Sequence, residues 1–160
     1  MSEVIRASID DKDVVYDITQ KTIRSVYPHY YSPGAVEFFS QHHSIDKIVK
    51  DIENGNVWLV RDEGGSFAGT VTINENEINR LFVLPEHQGK GYGRLLMEFA
   101  ENIVAAKFST AELSASLSAK KIYLKNGYTE VSYNIIDTPN GDKLCYDYMV
   151  KQLDSKGGSE

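Results

Sequence analysis

The stretch 81–94 (LFVLPEHQGKGYGR) limits the fold more than any other part of the 160-residue chain. An apolar segment leads through a loop with Gly89, Gly91 and Gly93 directly into an amphipathic helix. The residues spaced as one buried helical face are Tyr92, Leu95, Leu96, Phe99, Ala100, Ile103 and Val104. Glycine permits positive φ, and the first N–H groups of a helix are unpaired at the positive end of its dipole. This strand–loop–helix unit therefore predicts a cradle for the phosphates of a diphosphate ligand.

The glycine spacing by itself leaves the ligand open. A P-loop requires GxxxxGK[ST], and this spacing does not supply it. A dinucleotide fingerprint beginning at Gly89 requires glycine at the position of Arg94. Glu112 is placed to meet a ribose, but the strands before the loop are predicted to be antiparallel, which argues against that fold. A plain turn leading into a helix explains the glycines equally well.

Hydrophobic periodicity predicts an α/β chain of the α+β type. Helices are predicted at about 10–27, 35–41, 45–53, 92–104 and 117–126, and strands at 4–9, 56–61, 67–73, 77–84, 112–116, 128–136 and 142–152. The strand–helix–strand order in the middle indicates a right-handed parallel crossover in a mostly antiparallel sheet with flanking helices. We expect one domain over 1–154 and a disordered tail at 155–160, which lacks apolar residues.

Composition and charge exclude several classes of protein. The net charge of −6 opposes binding to a phosphate backbone, so no nucleic-acid partner is expected. The chain has no run of 18 apolar residues and no secretory signal at its beginning, so we expect a cytoplasmic protein without a membrane partner. Cys145 is a single cysteine, which cannot form an internal disulfide, and there is no CxxC pair for a metal.

Two segments resemble the GNAT N-acetyltransferases. The segment 83–93 (VLPEHQGKGYG) resembles their acyl-CoA-binding signature, V-x-P-x-x-[Q/R]-x-x-G-x-[G/A]. The segment 119–128 (AKKIYLKNGY) resembles their A-x-x-x-Y-x-x-x-G-[F/Y] block, and one helix and one strand separate the two, as in the family. The resemblance implies a GNAT-like fold over roughly 3–152, acetyl-CoA as co-substrate and no metal.

The resemblance also implies which residues hold acetyl-CoA. Backbone groups of Phe82 and Val83 would hydrogen-bond the pantetheine arm like an added strand, where the sheet splays near a bulge. Ser116 stands where the family often has Asn, and its hydroxyl would replace the amide. The pyrophosphate would bind the N–H groups of Gln88, Gly89, Lys90, Gly91, Tyr92, Gly93 and Arg94, with charge added by Lys90 and Arg94.

Acetyl transfer to an amine requires a neutral nitrogen and a stabilised thiolate leaving group. Tyr123 matches the family's usual acid, with its hydroxyl near the thioester sulfur; the alternative is an aromatic residue on the buried face of its helix. Glu77 begins the strand leading to Val83, where family members often place a carboxylate base. Glu75 competes for that role, and a backbone carbonyl with a water chain would require neither. The N–H of Val83 would polarise the thioester carbonyl.

The acceptor is a small-molecule or peptide amine, and the acidic balance is compatible with a cationic one. Tyr27, Tyr30 and Tyr31 lie in the connection that commonly walls the acceptor site in the family; aromatic packing on the core is the alternative. His42 and His43 are placed at a helix end or in an acceptor cleft. The resemblance is compatible with a homodimer, although the sequence shows no exposed apolar stripe that specifies an interface.

The sequence thus predicts an N-acetyltransferase that moves an acetyl group from acetyl-CoA to a primary amine by direct attack in a ternary complex. A non-catalytic acyl-CoA-binding or sensing module is the first alternative, and it would bind the cofactor without turnover that depends on Tyr123. A nucleotide-binding oxidoreductase is the second. It would be stabilised by NAD(P) and not by CoA.

Overall fold

The computed structural model describes residues 3–153, and the tail predicted for 155–160 lies outside them. The helices within this range are α1 (Lys12–Val26), α2 (Pro33–His42), α3 (Ile45–Glu53), α4 (Tyr92–Ala105) and α5 (Lys120–Lys125). The strands are β1 (Glu3–Arg6), β2 (Val57–Arg61), β3 (Phe67–Asn74), β4 (Glu77–Val83), β5 (Thr110–Ser116), β6 (Thr129–Asp137) and β7 (Lys143–Gln152). The predicted helices and strands are present, but α5 is shorter than 117–126 because residues 116–119 form a turn, with Ala119 N–H donating to Ser116 O at 3.1 Å.

The strands form one mixed sheet in the order β1-β2-β3-β4-β5-β7-β6. The pair β4–β5 is parallel and joined by the crossover helix α4, and the other described neighbours are antiparallel. One apolar core lies between the sheet and α4, and a second lies between the sheet and α1–α3. This confirms the mixed, mostly antiparallel sheet with a central crossover and flanking helices.

The parallel strands β4 and β5 separate soon after they begin. Within the described strands their paired position is Glu77 with Glu112, and Glu112 N–H donates to Asn76 O at 2.9 Å. On its other side β4 stays paired with β3 as far as Val83. The result is a wedge-shaped gap in the sheet, with the loop before α4 at its wide end.

A β-bulge distorts β4 beside this gap. Between the pairs Thr70–Phe82 and Thr72–Asn79, β3 advances two residues while β4 advances three. The extra residue is Arg80, whose φ of 45° is left-handed. The bulge turns the Arg80 side chain to the α1–α3 side of the sheet, where it forms an ion pair with Asp51 of α3.

The edge strand β6 carries an exposed apolar row. Val131, Tyr133 and Ile135 are 58%, 57% and 56% exposed, and their spacing of two places them on one face. The expectation that the chain has no exposed apolar stripe is therefore wrong, because burial of alternate strand positions depends on which faces the helices cover.

Candidate active site

A cavity of about 890 Å³ occupies the gap between β4 and β5 and extends beneath α1 and α2. It joins the glycine loop at one end to the first residues of β4 at the other. The residues predicted for the site that line it are Tyr27, Glu77, Phe82, Val83, Gln88, Gly89, Gly91, Tyr92, Gly93, Arg94, Ser116 and Tyr123.

Three predicted residues are not part of this described lining. Lys90 belongs to the loop but not to the cavity wall. Tyr30 is 51% exposed on the surface. The Tyr31 hydroxyl accepts from Leu117 N–H and donates to Cys145 O, both at 2.7 Å. Tyr31 therefore connects the α1–α2 connection to the ends of β5 and β7. This agrees with the alternative that the residue packs on the core and does not line the acceptor site.

The glycine loop has the geometry of an anion cradle. Gly91 is the N-cap of α4, with φ of 93°, and Gly89 has φ of 79°. A Cβ atom on either residue would meet no described heavy atom within 4 Å, so the loop faces open space. The first helical hydrogen bond runs from Leu95 N–H to Gly91 O at 3.0 Å, so the N–H groups of the preceding turn are available to a ligand. A pyrophosphate fits this arrangement.

The gap edge of β4 presents backbone groups from alternate residues. Leu84 N–H donates to Ala68 O at 2.9 Å, and this register makes Phe82 exchange its hydrogen bonds with Thr70. Val83 therefore directs its N–H and C=O into the gap. The backbone of Phe82 does not face the gap as predicted, because its groups are used by β3.

The side chain of Gln88 extends this edge, since its Nε2 donates to Val83 O at 3.0 Å. Phe82 contributes its ring instead, which packs edge-on against Tyr27 with centroids 6.4 Å apart.

Two buried tyrosines border the middle of the cavity. Burial raises the pKa of the Tyr123 phenol well above its ordinary value, with a smaller contribution from Tyr27. Burial likewise raises the pKa of Tyr27 to about 12, although a hydrogen bond with the Ser116 hydroxyl partly lowers this pKa. Both phenols therefore keep their protons near neutral pH and act as donors. Ser116 Oγ also lies 2.8 Å from Ser118 Oγ.

The two candidate carboxylate bases lie in different places. Glu77 lines the cavity in register with Glu112, whose carboxylate accepts from Asn76 Nδ2 at 3.2 Å. Glu75 lies in the exposed β3–β4 turn with φ of 55°, outside the described lining. Position within the cavity therefore favours Glu77 over Glu75 as the group that meets a substrate.

The far end of the cavity contains Arg80, which the sequence did not identify, and His43, which it placed at a helix end or in an acceptor cleft. Arg80 lines the cavity with its side chain 6% exposed, and its Nη1 lies 3.4 Å from Nδ1 of His43, which also lines it. Burial, with a smaller contribution from the Arg80 charge, lowers the pKa of His43 to about 3. The available signal for Arg80 was a charged residue within the strand segment 78–84 (INRLFVL), whose other residues are apolar except Asn79.

Two further residues of the cavity lining, Arg94 and His87, lie beside carboxylates. Arg94 forms an exposed ion pair with Glu98 at 3.2 Å, and His87 Nε2 lies 3.7 Å from Asp62. Among residues 3–153, no three His, Cys, Asp or Glu side chains are grouped to hold a metal ion. Over the same range, no helix combines the length and apolar character needed to span a bilayer.

Residues 26–138 match the family description "Acetyltransferase (GNAT) domain". This match covers more than half of the chain and includes the glycine loop, the gap and Tyr123. The chain belongs to the GNAT acetyltransferase family. No curated protein sequence is similar enough to count as a match.

Solved GNAT structures share the fold. A GCN5-related N-acetyltransferase from Rhodopseudomonas palustris superposes with a TM-score of 0.87 at 20% identity over 96% of each chain. YncA from Salmonella typhimurium, solved with acetyl-CoA, gives 0.72 at 17% identity over 100% of this chain and 98% of its own. PaiA N-acetyltransferase from Thermoplasma acidophilum, in complex with coenzyme A, gives 0.70 at 21% identity over 96% and 99%.

Proposed function

We propose that this GNAT protein transfers an acetyl group from acetyl-CoA to a primary amine by direct attack within a ternary complex. The observation that carries the proposal is the continuity of the cavity from the glycine loop to Glu77 through the gap in the sheet. Both substrates are then held at once, and the amine meets the thioester in the same space.

The cofactor end is suited to a CoA thioester. The N–H groups around Gly91 and Gly93 hold the pyrophosphate at the helix dipole, and the amide-bearing arm lies along the gap edge of β4, which leaves the Val83 N–H for the thioester. Arg94 and Lys90 add positive charge beside them. Acetyl-CoA supplies an activated acetyl group, and the remaining chemistry belongs to residues of the chain.

Each residue near the middle of the cavity has one role in this proposal. Val83 N–H donates to the carbonyl oxygen that gains charge as the new N–C bond forms. Tyr123 donates its proton, or a hydrogen bond, to the sulfur as the C–S bond breaks. Glu77, through water, takes the proton that the amine must lose. Ser116 and Tyr27 are neutral hydroxyl donors beside the same space.

Thermal unfolding with acetyl-CoA, CoA, NAD and ATP tests the cofactor assignment. A ligand at 100 times its Kd adds about 2.7 kcal/mol to the free energy of unfolding. We expect a higher Tm with the two CoA species alone, followed by thiol release when amines are added. Stabilisation by NAD without CoA would overturn the assignment, and binding without turnover of any amine would favour an acyl-CoA-sensing module.

A further inference from the structure

The proposed chemistry leaves Arg80 and His43 without a role, although both line the cavity. The Arg80 side chain is more than nine-tenths buried, and it sits on the bulge in a left-handed conformation. One terminal nitrogen pairs with Asp51, and the other contacts His43. Its Nε has no hydrogen-bond partner among the described residues. This Nε is itself buried, but each terminal nitrogen of a guanidinium carries a second N–H, and these are the donors that remain for a ligand in the cavity.

The contact between Arg80 and His43 fixes the tautomer of the imidazole. A guanidinium only donates hydrogen bonds, so Nδ1 of His43 must accept the bond from Arg80 Nη1 at 3.4 Å. The ring of His43 is neutral, and its proton then sits on Nε2. His43 is therefore a donor to the cavity and not a base.

The surroundings of this donor pair are apolar on one side and acidic on the other. Phe38, Phe39 and Phe82 line the same end of the cavity. Ile78 packs in the core on the α4 side of the sheet, so its strand neighbour Glu77 faces the α1–α3 side, as Arg80 does, and its carboxylate attracts an ammonium group. This part of the cavity thus combines hydrogen-bond donors that suit an oxygen atom, a carboxylate that suits an ammonium group, and an apolar wall.

We propose that Arg80 and His43 bind a carboxylate or carbonyl oxygen next to the reacting amine, so that the acceptor is an α-amino acid unit with an apolar side chain. This inference rests on the proposed acetyl transfer and names the class of its acceptor. The carboxylate of a free amino acid and the carbonyl of an amide or peptide N-terminus share this chemistry, and the experiment distinguishes them.

Three amines with the same ring but different oxygen groups test the inference. L-phenylalanine carries a carboxylate, L-phenylalaninamide carries a carbonyl, and phenethylamine carries neither. We expect kcat/KM for one or both oxygenated amines to exceed that for phenethylamine by about tenfold or more. The reason is that each hydrogen bond to the added oxygen contributes a factor of about ten. Preference for the acid indicates free amino acids, and preference for the amide indicates amides or peptide N-termini.

The variants His43→Phe and His29→Phe form a matched pair. Phenylalanine at position 43 keeps the packing against Phe82, whose centroid lies 6.1 Å away, but removes the Nε2 donor. We expect its preference for oxygenated amines to fall about tenfold, with acetyl-CoA affinity unchanged by calorimetry. His29 is exposed and lies outside the described cavity lining, so its variant should keep the preference.

The outcomes separate this inference from the proposed function. Equal kcat/KM for the three amines overturns the inference, as does an equal loss of preference in both histidine variants. Acetylation of spermidine but of none of the three amines also overturns it and leaves acetyl transfer standing. Absence of turnover with every amine, while acetyl-CoA still binds, overturns the proposed function and the inference with it.

Discussion

The two ends of the cavity are built in different ways. The proposed cofactor end comes mostly from one contiguous segment, residues 83–94, and it presents mainly backbone N–H groups. The proposed acceptor end brings together α1, α2 and β4, and it presents side chains such as Arg80, which Asp51 of α3 holds from behind, and His43. Local sequence therefore builds the first end, and long-range packing builds the second.

Gly91→Glu should produce the largest effect and confine it to the cofactor end. The change places a carboxylate at the N-cap of α4, where phosphates would bind, and forces a side chain into φ of 93°. We expect acetyl-CoA affinity to fall about 1,000-fold, because opposed like charges cost several kcal/mol. Isothermal calorimetry measures the change.

Gly65→Glu is the matched control for that strain. Gly65 has φ of 91° and open space around its Cβ position, but it lies in the β2–β3 turn away from the described cavity lining. We expect a comparable loss of stability with acetyl-CoA affinity unchanged. If Gly65→Glu weakened binding as much as Gly91→Glu, the loop would not be the phosphate site.

Tyr123→Phe tests the junction between the two ends. We expect kcat to fall about 100-fold, the usual contribution of a general acid, with little change in KM for acetyl-CoA. Burial keeps the pKa of Tyr123 above its ordinary value, so its proton remains bound and the wild-type rate should show no loss from this group as pH rises to 9.

Tyr128→Phe serves as the control for Tyr123→Phe. Tyr128 is buried with its ring 5.6 Å from Tyr123, but its hydroxyl donates to Glu101 at 2.8 Å and not to the cavity. Steady-state kinetics should show wild-type kcat. A wild-type kcat in Tyr123→Phe would remove the tyrosine from the chemistry.

Tyr31→Phe tests whether the acceptor end depends on long-range contacts. The variant loses both hydrogen bonds of the hydroxyl and leaves Leu117 N–H and Cys145 O without that partner. We expect the free energy of unfolding to fall by about 1–3 kcal/mol, measured in urea. A change in acceptor KM with unchanged stability would show instead that Tyr31 binds substrate.

The smallest expected effect is a pH dependence of stability at His43. The folded pKa of about 3 is below the ordinary 6.5, so the unfolded chain binds this proton more readily. Above pH 6.5 the imidazole is neutral in both states and has no effect on stability through its proton; as pH falls from 6.5 toward 3, protonation of the unfolded chain progressively lowers the free energy of unfolding. The difference in unfolding free energy between pH 7 and pH 5 should be smaller in His43→Phe than in the wild type. An identical difference would contradict the buried, neutral imidazole.

The sequence predicted the parts that local rules govern. Periodicity predicted α4, the motif at 83–93 predicted the family, and its glycines predicted the left-handed loop before α4. It did not predict the conformation of Arg80, because a bulge depends on the register between two strands. Nor did it show that the Tyr31 hydroxyl would be used by Leu117 and Cys145, since those contacts span about a hundred residues of chain.

The gap between β4 and β5 also has a mechanical consequence. It divides the sheet into two halves, β1–β4 and β5–β7, whose described backbones meet at the pair Glu77–Glu112. A ligand arm that paired with β4 and touched β5 would fasten the halves together, so binding would stiffen the protein and raise its resistance to unfolding with ligand concentration. The protein would then be most rigid with its ligand bound and most flexible when the site is empty and the next ligand must enter.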